Sequence, residues 1–430
     1  MDPGPGGDEG DDPSVAGSAP APLVAWGPTG PRRPLSRRGR WLVGFLVVVV
    51  VATGIGGALT ALDRSLPDVW SATQRIEFAG DTWDGNIVSD ASSLYLLSRE
   101  RITGFWGVLY LRASDDGGRT WRPPVQVSES QDGPDAARHA LTLAEDGSLW
   151  ASWAQRGPQP ETQRLLVSRS VDGGRTWEEP RRASDPAVRL VGVPTVVITG
   201  SIRFVAFTDA RAGRLIVQRL GPDGAPVGVP SEVGTTDRLL YADSDLLDAG
   251  PSAAVAGPRA WLVFHDGSAV HRMSSTDGGR TWETESVDPF VTWAAPRIRA
   301  DGDRLIAMFA SPTSEAFQVT IIESVDRGTT WGSIGAVVGP PAGALSIAMT
   351  KGRAISAWSG CDPPLCQTVG VRLTDPSLGR PEPWHADLGG DGRLAGASIV
   401  GEDVALVWVQ EGSDGEATSR NVTVAVGPRP

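Results

Sequence analysis

The chain has 430 residues, a net charge of -12 and 40% hydrophobic residues. That acidic balance excludes a general nucleic-acid binder, and the length suits one large domain or two ordinary ones. Cys361 and Cys366 are the two cysteines, so this is no disulfide-dense scaffold, and with Lys351 the single lysine the cationic side chains are almost all arginine.

Residues 1–40 are rich in Pro, Gly, Asp and Ser and hold little that could build a core, which predicts a disordered tail. The tail ends in a basic run, Arg32, Arg33, Arg37, Arg38 and Arg40. WLVGFLVVVVVATGIGGALTAL follows, Trp41 to Leu62, 22 residues without a charge. At about 1.5 Å per residue a helix of this length crosses a hydrocarbon core of roughly 30 Å. The arginines before it predict a cytoplasmic N-terminus and an extracytoplasmic remainder. A cleaved leader is the competing reading, but its apolar region would run to only about 7–15 residues. The expectation is an uncleaved single-pass anchor in the plasma membrane, with the bilayer as one partner.

Beyond the anchor an octapeptide recurs: SDDGGRTW (Ser114–Trp121), SVDGGRTW (Ser170–Trp177), STDGGRTW (Ser275–Trp282) and SVDRGTTW (Ser324–Trp331). Short apolar runs flank each copy, so each reads as a turn between strands. The aspartate accepts hydrogen bonds within its own turn, glycine permits positive φ, and the tryptophan brings large apolar burial. The expected unit is a self-contained hairpin staple. A phosphate-cradling loop would need a following helix, and none is signalled after any of the tryptophans.

S-x-D-x-G-x-T-W resembles the Asp-box, or bacterial neuraminidase repeat, of sialidase-like β-propellers. The resemblance implies an all-β propeller with the box between the third and fourth strands of a blade, and structural roles for Asp116, Asp172, Asp277 and Asp326. It covers roughly Val69 to Val426, and the expected propeller domain is 69–427.

The gap between the second and third boxes is about double the others. GPDGAP (Gly221–Pro226) sits inside it and reads as a decayed box, and TDPSLGRPEPW (Thr374–Trp384) as another. Turn aspartates then fall at 116, 172, 223, 277, 326 and 375, near fifty residues apart, the size of a four-stranded blade. GASIV, VALVWV and NVTVAV supply three strands of one more blade, and WSATQRIEF (Trp70–Phe78) is the expected fourth, closing the ring from the N-terminal side. The expected count is seven blades, with six, the sialidase number, as the alternative. First strands are expected near Asn86, Ala140, Pro194, Pro251, Ala295, Ala344 and Gly396. Runs such as RFVAFTD and AWLVFHD are apolar throughout, as sheets buried on both faces require.

In the resembled family the boxes face away from the ligand pocket. The loops between blades, and those between second and third strands, are therefore where ligand-facing side chains are sought. They carry Asp132, Asp135, Arg138 and His139; Asp209 and Arg211; Tyr241 and Asp243; His265 and Asp266; Trp293 and Arg297. No metal-ligand spacing appears and no cofactor is implied. The sialidase resemblance would imply three arginines on a substrate carboxylate, a tyrosine nucleophile helped by a glutamate, and an aspartate acid/base. The chain holds only Tyr95, Tyr110 and Tyr241, none in the last two-fifths, and Arg75-Ile76 is followed by Glu77 where the family signature has proline. The reading is an extracytoplasmic module that binds or assembles with a membrane-associated or cell-envelope protein or glycan, with an exo-α-sialidase as the alternative. The same compartment favours a Cys361–Cys366 disulfide.

Overall fold

A computed structural model describes residues 74–428 apart from 79–81, 104–105, 129–135, 157–162, 186–187, 189–191, 210–211, 236–249, 267, 289–293, 313–316, 340–341, 363–364, 375–383, 388–391 and 412–419. The expected tail and anchor lie outside these residues. Among the described residues no helix is long and apolar enough to cross a membrane. The 28 strands there form seven four-stranded antiparallel sheets.

Inner strands, the first of each blade, are Thr82–Ser89, Ala136–Leu143, Thr195–Thr199, Ser252–Ala256, Arg297–Asp301, Ala342–Thr350 and Gly392–Val400. Each contacts the inner strands of both neighbours, and the seventh returns to the first, so the sheets close into a ring. The last blade is completed by the N-terminal strand Gln74–Phe78. It pairs antiparallel with Arg420–Pro428, from Gln74 opposite Val426 to Phe78 opposite Val422.

The apolar runs are explained by two-sided burial. In Ile202–Asp209 the side chains of Val205 and Phe207 pack into a cluster with Trp150 and Val167 of the preceding blade. Phe204 and Ala206, on the other face, pack with Leu262 and Phe264 of the next. Alternate residues of one strand thus fill two different cores, which leaves no polar face. Each large side chain buried this way contributes about 1.5–3 kcal/mol.

A polar belt stitches successive inner strands. Asn86 Oδ1 accepts from the Leu141 amide (3.2 Å), Thr142 Oγ1 donates to the Val196 carbonyl (2.8 Å), and Ser252 Oγ accepts from the Ile298 amide (3.1 Å). Arg297 Nε donates to the Leu345 carbonyl (3.1 Å), Ser346 Oγ accepts from the Ala397 amide (2.9 Å), and Ser89 Oγ donates to the Ile399 carbonyl. Each bond crosses from one blade to the next and satisfies backbone groups that face the ring axis rather than a strand partner.

The four boxes repeat one geometry. In the first, Thr120 donates from its amide to Asp116 Oδ1 (2.8 Å) and from its hydroxyl to Oδ2 (2.6 Å). Ser114 Oγ donates to Asp116 Oδ1 and accepts from the Gly118 amide. Asp172, Asp277 and Asp326 make the same bonds with Thr176, Thr281 and Thr330. The Thr120 hydroxyl and amide hold the Asp116 carboxyl down at about 2, and Thr176 and Thr330 do the same for Asp172 and Asp326. At Asp277 burial pushes upward but the Thr281 amide and hydroxyl outweigh it, again giving about 2.

One expectation needs correction: the boxes are not self-contained. Their tryptophans pack against the preceding blade. Trp282 stands edge-on to Phe204 and Trp331 edge-on to Trp261, both at 5.5 Å between ring centroids. Trp121 joins the core of the last blade and Trp177 that of the first. Each box is therefore a lock between blades. GPDGAP is a tight turn as expected, with the Gly221 amide on the Ala225 carbonyl (2.8 Å), but within the turn Asp223 accepts from the Ala225 amide alone (3.2 Å), and its other oxygen lies 3.9 Å from Arg181. The Thr374–Trp384 turn lies largely outside the described residues.

Because these aspartates have depressed values, their stabilisation is complete above the ordinary value of 3.8 and is lost as pH falls toward 2. Acid unfolding is expected to steepen between about pH 4 and pH 2. Asp172→Ala removes hydrogen bonds that are partly solvated and should cost about 1–2 kcal/mol at pH 7, read from denaturant melts. The variant should flatten the acid limb of the stability curve, and an unchanged limb would separate the box from acid unfolding.

Candidate functional site

The ring encloses a central channel of about 470 Å³ lined by all seven inner strands. Its two mouths differ. The boxes gather at the end where inner strands turn into second strands: the Gly117 amide reaches the Ser92 carbonyl and Arg169 reaches Asp146, both in such turns. The opposite mouth is where inner strands begin and where second strands turn into third strands. The expected separation of boxes from ligand-facing loops follows from this alternation.

His139 and Arg297 line the channel from the starts of the second and fifth inner strands. His139 is buried, with Nε2 3.3 Å from the Leu97 carbonyl and Nδ1 3.4 Å from Asp84 Oδ1. The carbonyl can only accept, so Nε2 donates to it. A hydrogen bond between Nδ1 and Asp84 then requires one further proton, on the ring or on the carboxyl. Arg138, beside it, has a left-handed φ of 49°, in the bulge between Ala137 and His139. Asp84, from the first inner strand, was not among the residues picked out by loop position.

Arg299 is the second residue missed. It follows Arg297 on the same strand, alternating with the buried Ile298. Its side chain is exposed to the channel. Enclosure by the ring, with the like charge of Arg297, lowers its guanidinium pKa. Arg299 Nη1 donates to Ser252 Oγ (3.0 Å) and to the Ile298 carbonyl (2.9 Å). The readable signal is RIRAD, charged residues at three alternate positions of an inner strand, Arg297, Arg299 and Asp301.

Other candidates have structural work. Asp209 accepts from Arg214 Nη2 (3.0 Å) and from the Ala212 amide, which closes its strand turn. Asp266 accepts from Ser268, Ala269 and His271 Nε2 (2.6 Å). Burial pushes its carboxyl upward, but these donors outweigh it and set the value at about 2. His265 is buried in the second strand of blade 4 and is not among the residues lining the channel. Asp132, Asp135, Arg211, Tyr241, Asp243 and Trp293 lie outside the described residues. Among those residues no cluster of His, Cys, Asp and Glu could hold a metal ion.

Among the described residues, no tyrosine lines the channel. The Tyr95 hydroxyl donates to Asp90 Oδ2 (3.4 Å) in the first inner-strand turn, at the box end, and burial raises its pKa. Tyr110 pairs with Ser98 and Gln126 inside its sheet.

The sequence profile of the BNR repeat-like domain matches residues 108–361, more than half of the chain. The chain belongs to the BNR repeat-like domain family. As a BNR repeat-like protein it is 29% identical over 216 residues to a sialidase of Micromonospora viridifaciens, a match covering 45% of this chain and 28% of that enzyme. The matched region thus spans under a third of the relative's length. Among solved structures, a protein of unknown function from Dyadobacter fermentans aligns with a TM-score of 0.48 and 15% identity over 84% of this chain and all of its own. Trypanosoma rangeli sialidase aligns at 0.44 and 11% over 83% of this chain and 58% of its own. The described residues of this BNR repeat-like chain form a ring of seven four-stranded blades.

Proposed function

We propose that the propeller is a glycan-binding module of the cell envelope, held outside the cytoplasm by residues 41–62, and that it does not hydrolyse its ligand. The observation that carries this reading is the channel mouth opposite the boxes. It offers Asp84, His139 and Arg297 for polar recognition but no tyrosine hydroxyl among the described residues. Hydroxyl-rich sugars suit such a set of donors and acceptors in a concave, part-apolar site. The relative named a sialidase supports glycan as the ligand class. A protein ligand on the same mouth is an outcome that binding assays separate.

The test is a glycan array probed with the soluble domain, residues 69–427. Retention of a defined glycan set is expected, weakened at least about tenfold, or 1.4 kcal/mol, by Asp84→Asn or His139→Gln and unchanged in Asp172→Ala. Equal binding by all variants would place recognition elsewhere. For the anchor, full-length protein should stay in the membrane pellet through a carbonate wash, and external protease should remove the propeller. A mature chain beginning after Leu62 would overturn the anchor.

Exo-α-sialidase activity is the second reading, favoured by that relative at 29% identity.

The extracytoplasmic placement also predicts a Cys361–Cys366 bond. Their side chains lie outside those described, but the backbone register supports it. Asp362 pairs with Leu365 at the hairpin end, with an irregularity between Gly360 and Asp362, so the two cysteines lie across neighbouring strands. Intact mass of the non-reduced domain should lie about 2 Da below the reduced form. Two free thiols under oxidising conditions would reject the bond.

A further inference from the structure

Among the described residues, the large hydrophobic side chains that stand exposed all lie at one end of the ring. Val171 (65%) and Val325 (70%) precede the aspartates of the boxes in blades 2 and 5, and Val227 (42%) and Val229 (86%) follow the GPDGAP turn of blade 3. All of these positions are at the box mouth. The charges around them are mixed, with Arg119, Arg175 and Arg280 exposed beside exposed Asp115, Glu178 and Glu179. Apolar contact, rather than a field of one sign, is what this face offers a partner.

The chain enters the propeller at the same mouth. In the last blade Pro428 pairs with Asp403, beside the turn that ends the inner strand, and Gln74 pairs with Val426. Gln74 therefore starts at the box mouth, and its strand runs away from it. In the sequence residues 63–73 separate Gln74 from the apolar segment Trp41–Leu62, a reach of at most about 40 Å. The neighbouring strand Arg420–Pro428 has 9 residues, about 30 Å of blade height. To set the opposite mouth on a bilayer, the connecting chain would have to run almost fully extended past the whole blade. To set the box mouth there, it needs little of its reach.

We propose that the box mouth docks on the phospholipid surface through Val171, Val229 and Val325, which directs the channel mouth bearing Asp84, His139 and Arg297 away from the bilayer. This rests on the anchor of the proposed function and adds an orientation to it. A glycan then reaches the site from outside the membrane, as an envelope polymer does and a headgroup of the same bilayer does not. The tether holds the propeller at high effective concentration over the lipid, so a few valines suffice to set its orientation although they would not hold a free domain there.

Lys351 makes the test possible. It is the single lysine of the chain and stands exposed in the turn between Ala342–Thr350 and Arg353–Asp362, at the box mouth. Arg164→Lys adds a reference amine at the opposite mouth, where Arg164 is exposed at the start of Gln163–Ser170. The full chain with this substitution is reconstituted into phosphatidylcholine vesicles, floated, and acylated from outside with a membrane-impermeant amine reagent. Peptide mass spectrometry reads labelling at 351 relative to 164, a ratio that inward-facing molecules do not affect. Adding Val171→Asp, Val229→Asp and Val325→Asp together should raise that ratio about fivefold, as for an amine covered about four-fifths of the time before the change. Cutting a specific protease site written into residues 63–69 should give the same rise with the valines intact. A chain that floats but shows one ratio in all three states would overturn the docking and leave the anchor standing. A chain that does not float would overturn the anchor and the docking with it. Protection of Lys351 that fades as the chain is diluted in lipid would assign the face to a second copy, which also overturns the proposal.

Discussion

Deletion of Trp70–Phe78 is expected to abolish cooperative melting of the domain and to send it into inclusion bodies. The strand Gln74–Phe78 is the fourth strand of the last blade, paired residue by residue with Arg420–Pro428. Without it the amides and carbonyls on one side of that strand face solvent as an open edge. At about 1 kcal/mol net per hydrogen bond, a five-residue ladder and its packing amount to a loss on the order of 5 kcal/mol. That is comparable with the whole stability of many domains, about 5–15 kcal/mol. Circular dichroism melts and size exclusion read the result. A deletion variant that melts with unchanged midpoint would mean that the ring does not depend on this closure.

The second large effect is expected at Gly328→Ala. Gly328 has φ +87°, and a Cβ built there would stand 2.0 Å from Cζ2 of Trp261, a fully buried ring of the preceding blade. Two costs combine: left-handed strain, and overpacking against a side chain with nowhere to move. Together they amount to about 2–5 kcal/mol. Gly278→Ala separates them. Gly278 has φ +73°, but nothing lies within 4 Å of its Cβ position, so only strain applies, about 1 kcal/mol. Equal losses in the two variants, measured by denaturant unfolding, would show that glycine is needed at 328 only for its backbone angle.

That contrast also shows what was legible in the sequence. The box turn was readable because its partners are local: the hydrogen bonds of the carboxylate come from the Ser, the Thr or the amide before the Thr, within seven residues. The second glycine and the tryptophan read as part of the same turn, whereas they pack on the adjoining blade, as Trp331 does on Trp261 and Trp282 on Phe204. Period alone told the blade length but not which neighbour each residue touches. Closure by Gln74–Phe78 was visible because WSATQRIEF resembles the fourth strand after the first box. The functional mouth was less legible. Loop position singled out Asp209 and Asp266, which cap their own turns, and passed over Asp84 and Arg299. Those two lie inside inner strands, where charge is unexpected, and that mismatch between residue type and strand environment was the signal available.

The central claim, recognition without hydrolysis, is tested most directly by incubating the soluble propeller with a fluorogenic α-sialoside across pH 4 to 8. The account predicts release no faster than with heat-denatured protein. Saturable turnover that scales with protein concentration and disappears on replacing Tyr241 by Phe would contradict it and make the chain a sialidase.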